Sequence, residues 1–166
     1  MKNLLRQLTR KKKNYTKLKP KKKVFSKSRA RKELHTLWSL AVRQRDRYAC
    51  QWCAHDGKTN VNLHHHAHHI VPRSISGTCG AFNVDNGVTL CYYCHIQRLK
   101  SEVDEYIWFR DAWLLNNVGN NYMEMRKVLT QIVKFTEEYY DGKKAELQHN
   151  YKRFVKEAER NTDGNS

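Results

Sequence analysis

Long apolar runs are missing from this chain of 166 residues. No run approaches the ~18 residues that a membrane span requires. The basic N-terminus also lacks the apolar stretch, roughly 7–15 residues long, of a secretory signal peptide. From these two absences we expect a soluble protein that stays in a reducing cytoplasm.

Acidic residues are absent from residues 1–32, which carry 15 lysines and arginines. The rest of the chain carries 17 basic and 16 acidic residues, so the formal net charge of +16 belongs almost entirely to the N-terminal segment. Segments this rich in lysine are usually disordered alone, and they attract polyanions such as DNA, RNA or an anionic membrane surface. We therefore predict a flexible basic arm over residues 1–28. The lysine run from Lys19 to Lys23 also resembles a nuclear import signal.

Four of the five cysteines form two Cys-x-x-Cys pairs, Cys50 with Cys53 and Cys91 with Cys94. In a reducing compartment this spacing favours metal binding over disulfides. Four thiolates are the complete tetrahedral ligand set of a structural Zn²⁺, so we predict a zinc site here. We expect Cys79 to be a small, partly buried loop residue, because an unmodified cysteine packs as a small apolar group.

Histidines cluster between the two cysteine pairs. Five of the six residues in the range 64–69 are histidine, and His95 directly follows the last cysteine. The predicted zinc site leaves these imidazoles available for other chemistry. A neutral imidazole can accept a proton near pH 7, because its ordinary pKa is about 6.5. We assign no role to three scattered histidines: His35, His55 and His149.

Helical spacing of apolar residues over residues 30–45 predicts a helix that lies against the zinc region. Residues 61–71 are predicted to be extended, because their β-branched residues and the position before Pro72 favour that conformation. The sequence Asp85-Asn86-Gly87 indicates a turn, residues 88–90 a second strand, and the pattern becomes helical from Cys94. The predicted buried positions of the first helix are Leu34, Leu37, Trp38, Ala41 and Val42.

The C-terminal part, residues 101–160, has apolar residues at helical spacing throughout. Asp141-Gly142 is predicted to end one helix before a last helix begins. We find no internal repeat, and we divide the chain into the arm 1–28, a core 29–115 that contains the zinc site, and a C-terminal helical region 116–166.

The order strand, loop, strand and helix over residues 61 to about 105 makes a ββα unit. The two cysteine pairs, the run His68-His69-Ile70-Val71-Pro72, Asn86 before the second strand and the ending Cys94-His95 occur in it together. In these elements, residues 46–105 resemble the HNH endonucleases, also called ββα-metal nucleases. The resemblance implies an α+β fold, a ββα-metal core with a structural zinc held by the four paired cysteines, and flanking helices. It also implies metal-dependent hydrolysis of DNA that leaves 5′-phosphate and 3′-hydroxyl ends.

The resemblance implies a role for each matching residue. His69 is the general base, His68 and His95 are ligands of the catalytic divalent metal, and Asn86 either orients the base or touches the metal. Adjacent strand residues face opposite sides, so His68 and His69 require an irregular strand end or a metal between their rings. His66 lies on the same strand face as His68 and is the best candidate for an additional role.

The identity of the catalytic metal follows less directly from the resemblance, because many members have aspartate at the position of His68. Nitrogen ligands favour Mn²⁺, Co²⁺, Ni²⁺ or Zn²⁺ over Mg²⁺. Mg²⁺ or Mn²⁺ is nevertheless expected at cellular concentrations. Double-stranded DNA is the expected partner, with no membrane and no obligate protein partner. The candidate DNA-binding residues are Lys11, Lys12, Lys13, Lys21, Lys22, Lys23 and Arg73. For Arg73, contact with a phosphate and simple exposure to solvent are equally compatible with the sequence.

Small size and a basic arm resemble the freestanding homing endonucleases of bacteriophages, which act in the cytoplasm of the bacterial host. Restriction-type and phage-packaging HNH nucleases are close alternatives. A zinc-stabilised DNA-binding module without catalysis accounts for the cysteines and the arm, but not for the matching histidines and Asn86. An RNA-binding protein accounts for the charge alone.

Overall fold

The computed structural model describes residues 24–58 and 64–163. Most of the predicted arm, and residues 61–63 of the predicted first strand, lie outside this part of the chain. The described residues form seven α-helices and a two-stranded sheet. The elements are α1 Lys27–Arg45, α2 Gln51–His55, β1 His65–His69, α3 Thr78–Ala81, β2 Gly87–Cys91, α4 Leu99–Ser101, α5 Val103–Asn117, α6 Tyr122–Leu129 and α7 Glu137–Asp163.

Helix α1 begins where Ser26 accepts a hydrogen bond from the Arg29 backbone N–H. The predicted apolar stripe is confirmed: Leu34, Trp38, Ala41 and Val42 are buried, and Leu37 is half-buried. We expected this stripe to lie against the zinc region, and it does not. It packs instead against α7 and the sheet, in a core separate from the one that contains the four paired cysteines.

Helix α7 runs without interruption through Asp141 and Gly142, so the predicted break there is wrong. Contacts with α1 hold the helix on both sides of this point. Tyr140 donates a hydrogen bond to Glu33 (2.7 Å), and Lys144 forms an ion pair with the same carboxylate (2.6 Å). A glycine inside a helix costs only about 1 kcal/mol relative to alanine, which these contacts offset.

The helical pattern predicted across residues 131–136 is also wrong. Helix α6 ends at Leu129, and residues 131–136 are not helical. Phe135, in this segment, is buried near the Phe25 and Phe82 rings. Phe135 therefore contributes to the core between α1 and α7 from a segment that does not continue the helix, while Ile132 and Val133 are exposed.

The sheet is an antiparallel hairpin in which His68 pairs with Val88 and His69 with Gly87. Side chains alternate across a strand, so His66 and His68 face the core of the paired cysteines. Ala67 and His69 face α1. The hairpin thus separates the two cores, and the α+β fold class predicted from sequence is confirmed.

The end of α1 is joined to β2 through Arg45 and Asp46. The buried Asp46 carboxylate accepts the Thr89 backbone N–H at 2.7 Å. Arg45 pairs with Asp46 and donates to the carbonyl oxygens of Val84 (2.9 Å) and Gly87 (2.7 Å). Among the helices of the described residues, none is both long and apolar enough to cross a membrane.

Close contact between β2 and α1 predicts that Gly87→Ala destabilises the fold. Gly87 has an ordinary extended φ of −123°, but an added Cβ would overlap the Val42 side chain and lie 2.9 Å from Trp38 Cζ2. Such overpacking costs about 1–3 kcal/mol, and urea denaturation measures it.

Gly142→Ala is the matched control, because no atom lies within 4 Å of an added Cβ there. We expect this helical position to be neutral or slightly stabilised by alanine. Equal stability of the two variants would show that β2 does not approach α1 as closely as described.

Candidate active site

The four paired cysteines converge at the end of the hairpin. All four are buried, and their sulfur atoms lie within 4.8 Å of one another. The Sγ atom of Cys53 is 3.9 Å from that of Cys91 and 3.6 Å from that of Cys94. Zinc–sulfur bonds of about 2.3 Å in a tetrahedron place sulfur atoms about 3.8 Å apart. The cluster therefore fits a structural zinc.

Without a cation these thiols cannot all ionise. Burial and the neighbouring Cys50 raise the pKa of the Cys53 thiol to about 12. The pKa of the Cys94 thiol is also raised, by its hydrogen bond to Cys50 and by burial. A divalent ion replaces these protons by stabilising the thiolates directly.

A buried arginine lies next to the cysteine cluster. The Arg98 guanidinium is 3.9 Å from the Trp52 ring centroid, and Nη1 lies 3.8 Å from Cys94 Sγ. It also forms ion pairs with Asp56 (2.9 Å) and Glu102 (2.7 Å). A cation in this position offsets part of the negative charge that four thiolates bring to a divalent metal.

Residues Cys94–Arg98 form a π-helical turn directly after β2. In this turn Cys94 is buried in the sulfur cluster, while the His95 ring lies beside the hairpin, 5.2 Å from the His68 ring centroid. One turn of chain therefore carries residues of both predicted metal sites. π-helical turns inside helices are frequent at functional sites.

His68 is held by a tyrosine from α5. Its Nε2 atom lies 3.1 Å from the Tyr106 hydroxyl, and burial raises the phenol pKa, so the hydroxyl stays protonated. An Nε2–H donated to this oxygen leaves His68 Nδ1 as the nitrogen that a metal can bind. Burial, with the charges of His95 and His69, lowers the pKa of His68 to about 3. The ring is therefore neutral, as metal binding requires.

His69 lies on the opposite face of β1, against α1. Its ring stacks on Trp38 with centroids 3.8 Å apart and an interplanar angle of 14°. His69 Nε2 lies 3.1 Å from the carbonyl oxygen of Ala81. A carbonyl only accepts, so Nε2 carries the proton and Nδ1 is the unprotonated, basic nitrogen. Burial lowers the pKa of His69 to about 4, although the bond to Ala81 acts in the other direction.

Asn86 closes the loop that connects β1 to β2. Its side-chain oxygen accepts the Val71 N–H at 2.7 Å, and its amide donates to the carbonyl oxygens of Val71 (3.1 Å) and Gly80 (2.9 Å). Both amide hydrogens are thus used by the loop backbone. Gly80 directly precedes Ala81, whose carbonyl holds His69. Asn86 is therefore connected to His69 through the loop backbone.

Residues 50–100 match the family model of the HNH endonucleases. This range is therefore similar to an HNH endonuclease domain. A comparison with curated proteins found no match to the chain, and neither did a comparison with solved structures. An HNH nuclease domain implies a nucleic-acid substrate. The matched range contains the four paired cysteines, Asn86 and three of the histidines discussed above, His68, His69 and His95.

Three neighbours of the HNH histidines lie outside the matched range, and sequence reasoning gave none of them a role at the site. Trp38 was expected only to be buried, and Tyr106 only to be part of an apolar series. The His35 ring lies 5.4 Å from that of His69, and its Nε2 is buried without a hydrogen-bond partner among the described residues. His35 is three residues before Trp38 and shares its helix face, which is a usable sequence signal. Tyr106 offered no such signal.

Arg73 is exposed after Pro72, at the edge of the HNH site. Its charge contributes to lowering the pKa of both His35 and His69, behind the larger effect of burial. This position is compatible with the predicted phosphate contact. The six candidate lysines of the arm lie outside the described residues.

Loss of one thiol from the HNH cysteine cluster should remove the structural metal. In Cys53→Ser we expect the cobalt-substituted protein to lose the intensity of its thiolate-to-cobalt absorption, because three thiolates no longer complete the tetrahedron. The melting temperature should fall by ~10 °C or more, since metal binding at such sites is coupled to folding. Cys79→Ser, outside the cluster, should retain both properties. A Cys53→Ser protein with unchanged absorption and melting temperature would contradict the site.

Removal of the three hydrogen bonds that Asn86 makes to the loop backbone should destabilise the HNH domain. Asn86→Ala leaves the Val71 N–H and the carbonyl oxygens of Val71 and Gly80 without their partner. Unsatisfied buried groups cost about 1–3 kcal/mol each, so we expect a loss of at least ~2 kcal/mol in urea unfolding. Asn116→Ala, at an exposed position of α5, should be neutral or slightly stabilising. Similar unfolding curves for the two variants would show that Asn86 does not hold the loop.

Proposed function

We propose that this protein is a metal-dependent DNA endonuclease that hydrolyses phosphodiester bonds and leaves 5′-phosphate and 3′-hydroxyl ends. The observation that carries the proposal is the state of His69. Its Nε2 is tied to the Ala81 carbonyl, its ring is stacked on Trp38, and its Nδ1 is therefore a fixed, unprotonated base. Such an arrangement has no purpose in a purely structural zinc module.

His69 Nδ1 takes the proton of the attacking water in this proposal. The Ala81 carbonyl stabilises the imidazolium that forms, because its bond to Nε2–H strengthens when the ring becomes charged. Trp38 keeps the ring plane fixed, and Asn86 keeps the loop that carries Ala81 rigid. The chain's own groups thus orient the base before substrate binds, which is the main contribution that a folded site makes to positioning.

His68 and His95 are the residues that would hold the catalytic divalent cation. When bound, that cation neutralises charge that develops on the phosphate and on the leaving oxygen. The pair fits this role because both are histidines on one side of the hairpin, with His68 held neutral and oriented by Tyr106. Nitrogen ligands favour Mn²⁺, Co²⁺, Ni²⁺ or Zn²⁺ over Mg²⁺, while Mg²⁺ remains available to the site at cellular concentrations.

Duplex DNA is the substrate that we propose, bound by the lysines of the arm and by Arg73 beside the base. A freestanding homing role in the cytoplasm of a phage-infected bacterium fits a small nuclease with one basic arm. A homing enzyme cuts one long site, whereas a packaging-type nuclease cuts broadly. A map of the ends that the protein produces on genomic DNA separates these roles.

A second candidate is a zinc-stabilised DNA-binding module without catalysis. One observation favours it: within the described residues, the four cysteines are the group of three or more ligand-type side chains whose donor atoms converge within 4.8 Å. No set of three imidazoles among the described residues meets that distance. Incubation of plasmid DNA with Mg²⁺ or Mn²⁺, with and without EDTA, distinguishes the two candidates.

His69→Ala should leave a folded protein that binds DNA but cleaves it at least ~10² times more slowly, since general-base catalysis is typically worth ~10²–10⁴-fold. Plasmid nicking measures the rate, and a gel shift with EDTA measures binding. His149→Ala, at an exposed position of α7, is the control and should cleave at the parent rate. Cleavage by His69→Ala at the parent rate would refute the base assignment.

A further inference from the structure

A third imidazole lies beside the proposed pair of metal ligands. His66 is two residues before His68 on β1, so both side chains leave the strand on the same face. The centroid of the His66 ring is 5.2 Å from that of His95, with an interplanar angle of 20°. The His68 ring is also 5.2 Å from that of His95. His95 therefore lies between two histidines.

These separations match those of imidazoles that share one metal. A bond of about 2.0–2.1 Å from zinc to nitrogen places the ring centroid about 3.2 Å from the ion. Two rings at the tetrahedral angle are then about 5.2 Å apart. Both measured separations have this value.

The unsatisfied nitrogen of His95 points to the same conclusion. His95 Nδ1 is buried and has no hydrogen-bond partner among the described residues. A buried polar atom without a partner is costly, and such atoms call for an explanation such as a bound ion. A cation shared with the neighbouring rings satisfies this atom.

The rings must turn to bring their nitrogens onto one ion, because these nitrogens do not converge within 4.8 Å. His66 is exposed, so its side chain can rotate without displacing buried residues. His68 Nε2 lies 3.1 Å from the Tyr106 hydroxyl, and with that oxygen as the acceptor Nδ1 is the nitrogen left for a metal. The change required is therefore rotation of side chains on a fixed hairpin.

A surface role accounts less well for His66. Its other ring contact among the described residues is with the exposed Tyr92, 6.2 Å away, which is further than the 5.2 Å to His95. The closer neighbour of the His66 ring is therefore a proposed metal ligand.

We propose that His66 is a third protein ligand of the catalytic metal, which makes the site a three-histidine site of His66, His68 and His95. Three nitrogen ligands strengthen the preference for Zn²⁺, Ni²⁺, Co²⁺ or Mn²⁺ over Mg²⁺. The inference rests on the proposed function, since it concerns the same metal.

The test is Ni²⁺ binding by the full chain with its cysteine cluster already loaded with zinc, measured by isothermal titration calorimetry without DNA. We expect one further Ni²⁺ per chain, and a loss of affinity of at least ~100-fold in His66→Ala, more than the ~10–100-fold typical of residues behind the ligands. His66→Asp should recover binding and shift the preference towards Mn²⁺ and Mg²⁺, because a carboxylate replaces a nitrogen. His149→Ala, remote from the site on α7, should bind as the parent does.

The outcomes separate this inference from the proposed function. If His66→Ala binds Ni²⁺ as tightly as the parent while His68→Ala does not, His66 is not a ligand and the two-histidine metal site stands. If the parent binds no second cation, and no metal supports plasmid cleavage, both the inference and the proposed nuclease are wrong.

Discussion

Four buried thiols at the end of a short hairpin set the main constraint on this molecule. Their sulfur atoms lie within 4.8 Å of one another, and burial keeps protons on at least two of them in the absence of a cation. A metal that replaces those protons ties α2 to the end of β2 and to the π-helical turn. Because His95 follows Cys94 directly, the same tie fixes where one proposed ligand of the second metal lies. Arg98 supports the arrangement with a positive charge next to Cys94.

The hairpin separates the proposed base from the proposed metal ligands. His69 faces α1 and is held by Trp38 and the Ala81 carbonyl. His68 faces α5 and is held by Tyr106. Burial lowers the pKa of both rings, so each is neutral in the state that its proposed role requires. The hydrogen bonds from Asn86 to the backbone of Val71 and Gly80 hold the loop between β1 and β2 in place.

Some features of the fold and of the site could be predicted from the spacing of nearby residues in the sequence. The two Cys-x-x-Cys pairs indicated the thiol cluster, and strand β2 and the buried stripe of α1 followed from apolar patterns. Alternation along the strand led us to expect an irregular strand end at His68 and His69, or a metal between their rings. The strand is regularly paired through His69 instead, and the two rings lie on opposite faces. Each of these inferences used residues only a few positions apart.

Contacts between distant segments account for what sequence reasoning missed. Tyr106 lies 38 residues from His68, and no local pattern relates the two. Asp141-Gly142 was a reasonable place to end a helix, but Tyr140 and Lys144 hold α7 to Glu33 across it. Helix α1 packs on α7 rather than on the zinc region, because α7 offers a long apolar face that includes Leu147 and Phe154. The role of Asn86 became specific only when its three backbone partners were known.

The claim that supports the rest is that the imidazoles of His68 and His95 share a second cation. Anomalous diffraction from crystals of the full chain grown with Mn²⁺ tests it directly. The account predicts one manganese peak within bonding distance of a nitrogen of each ring, on the side of the hairpin that carries Tyr106. A clear map with both rings ordered and no peak between them would contradict it.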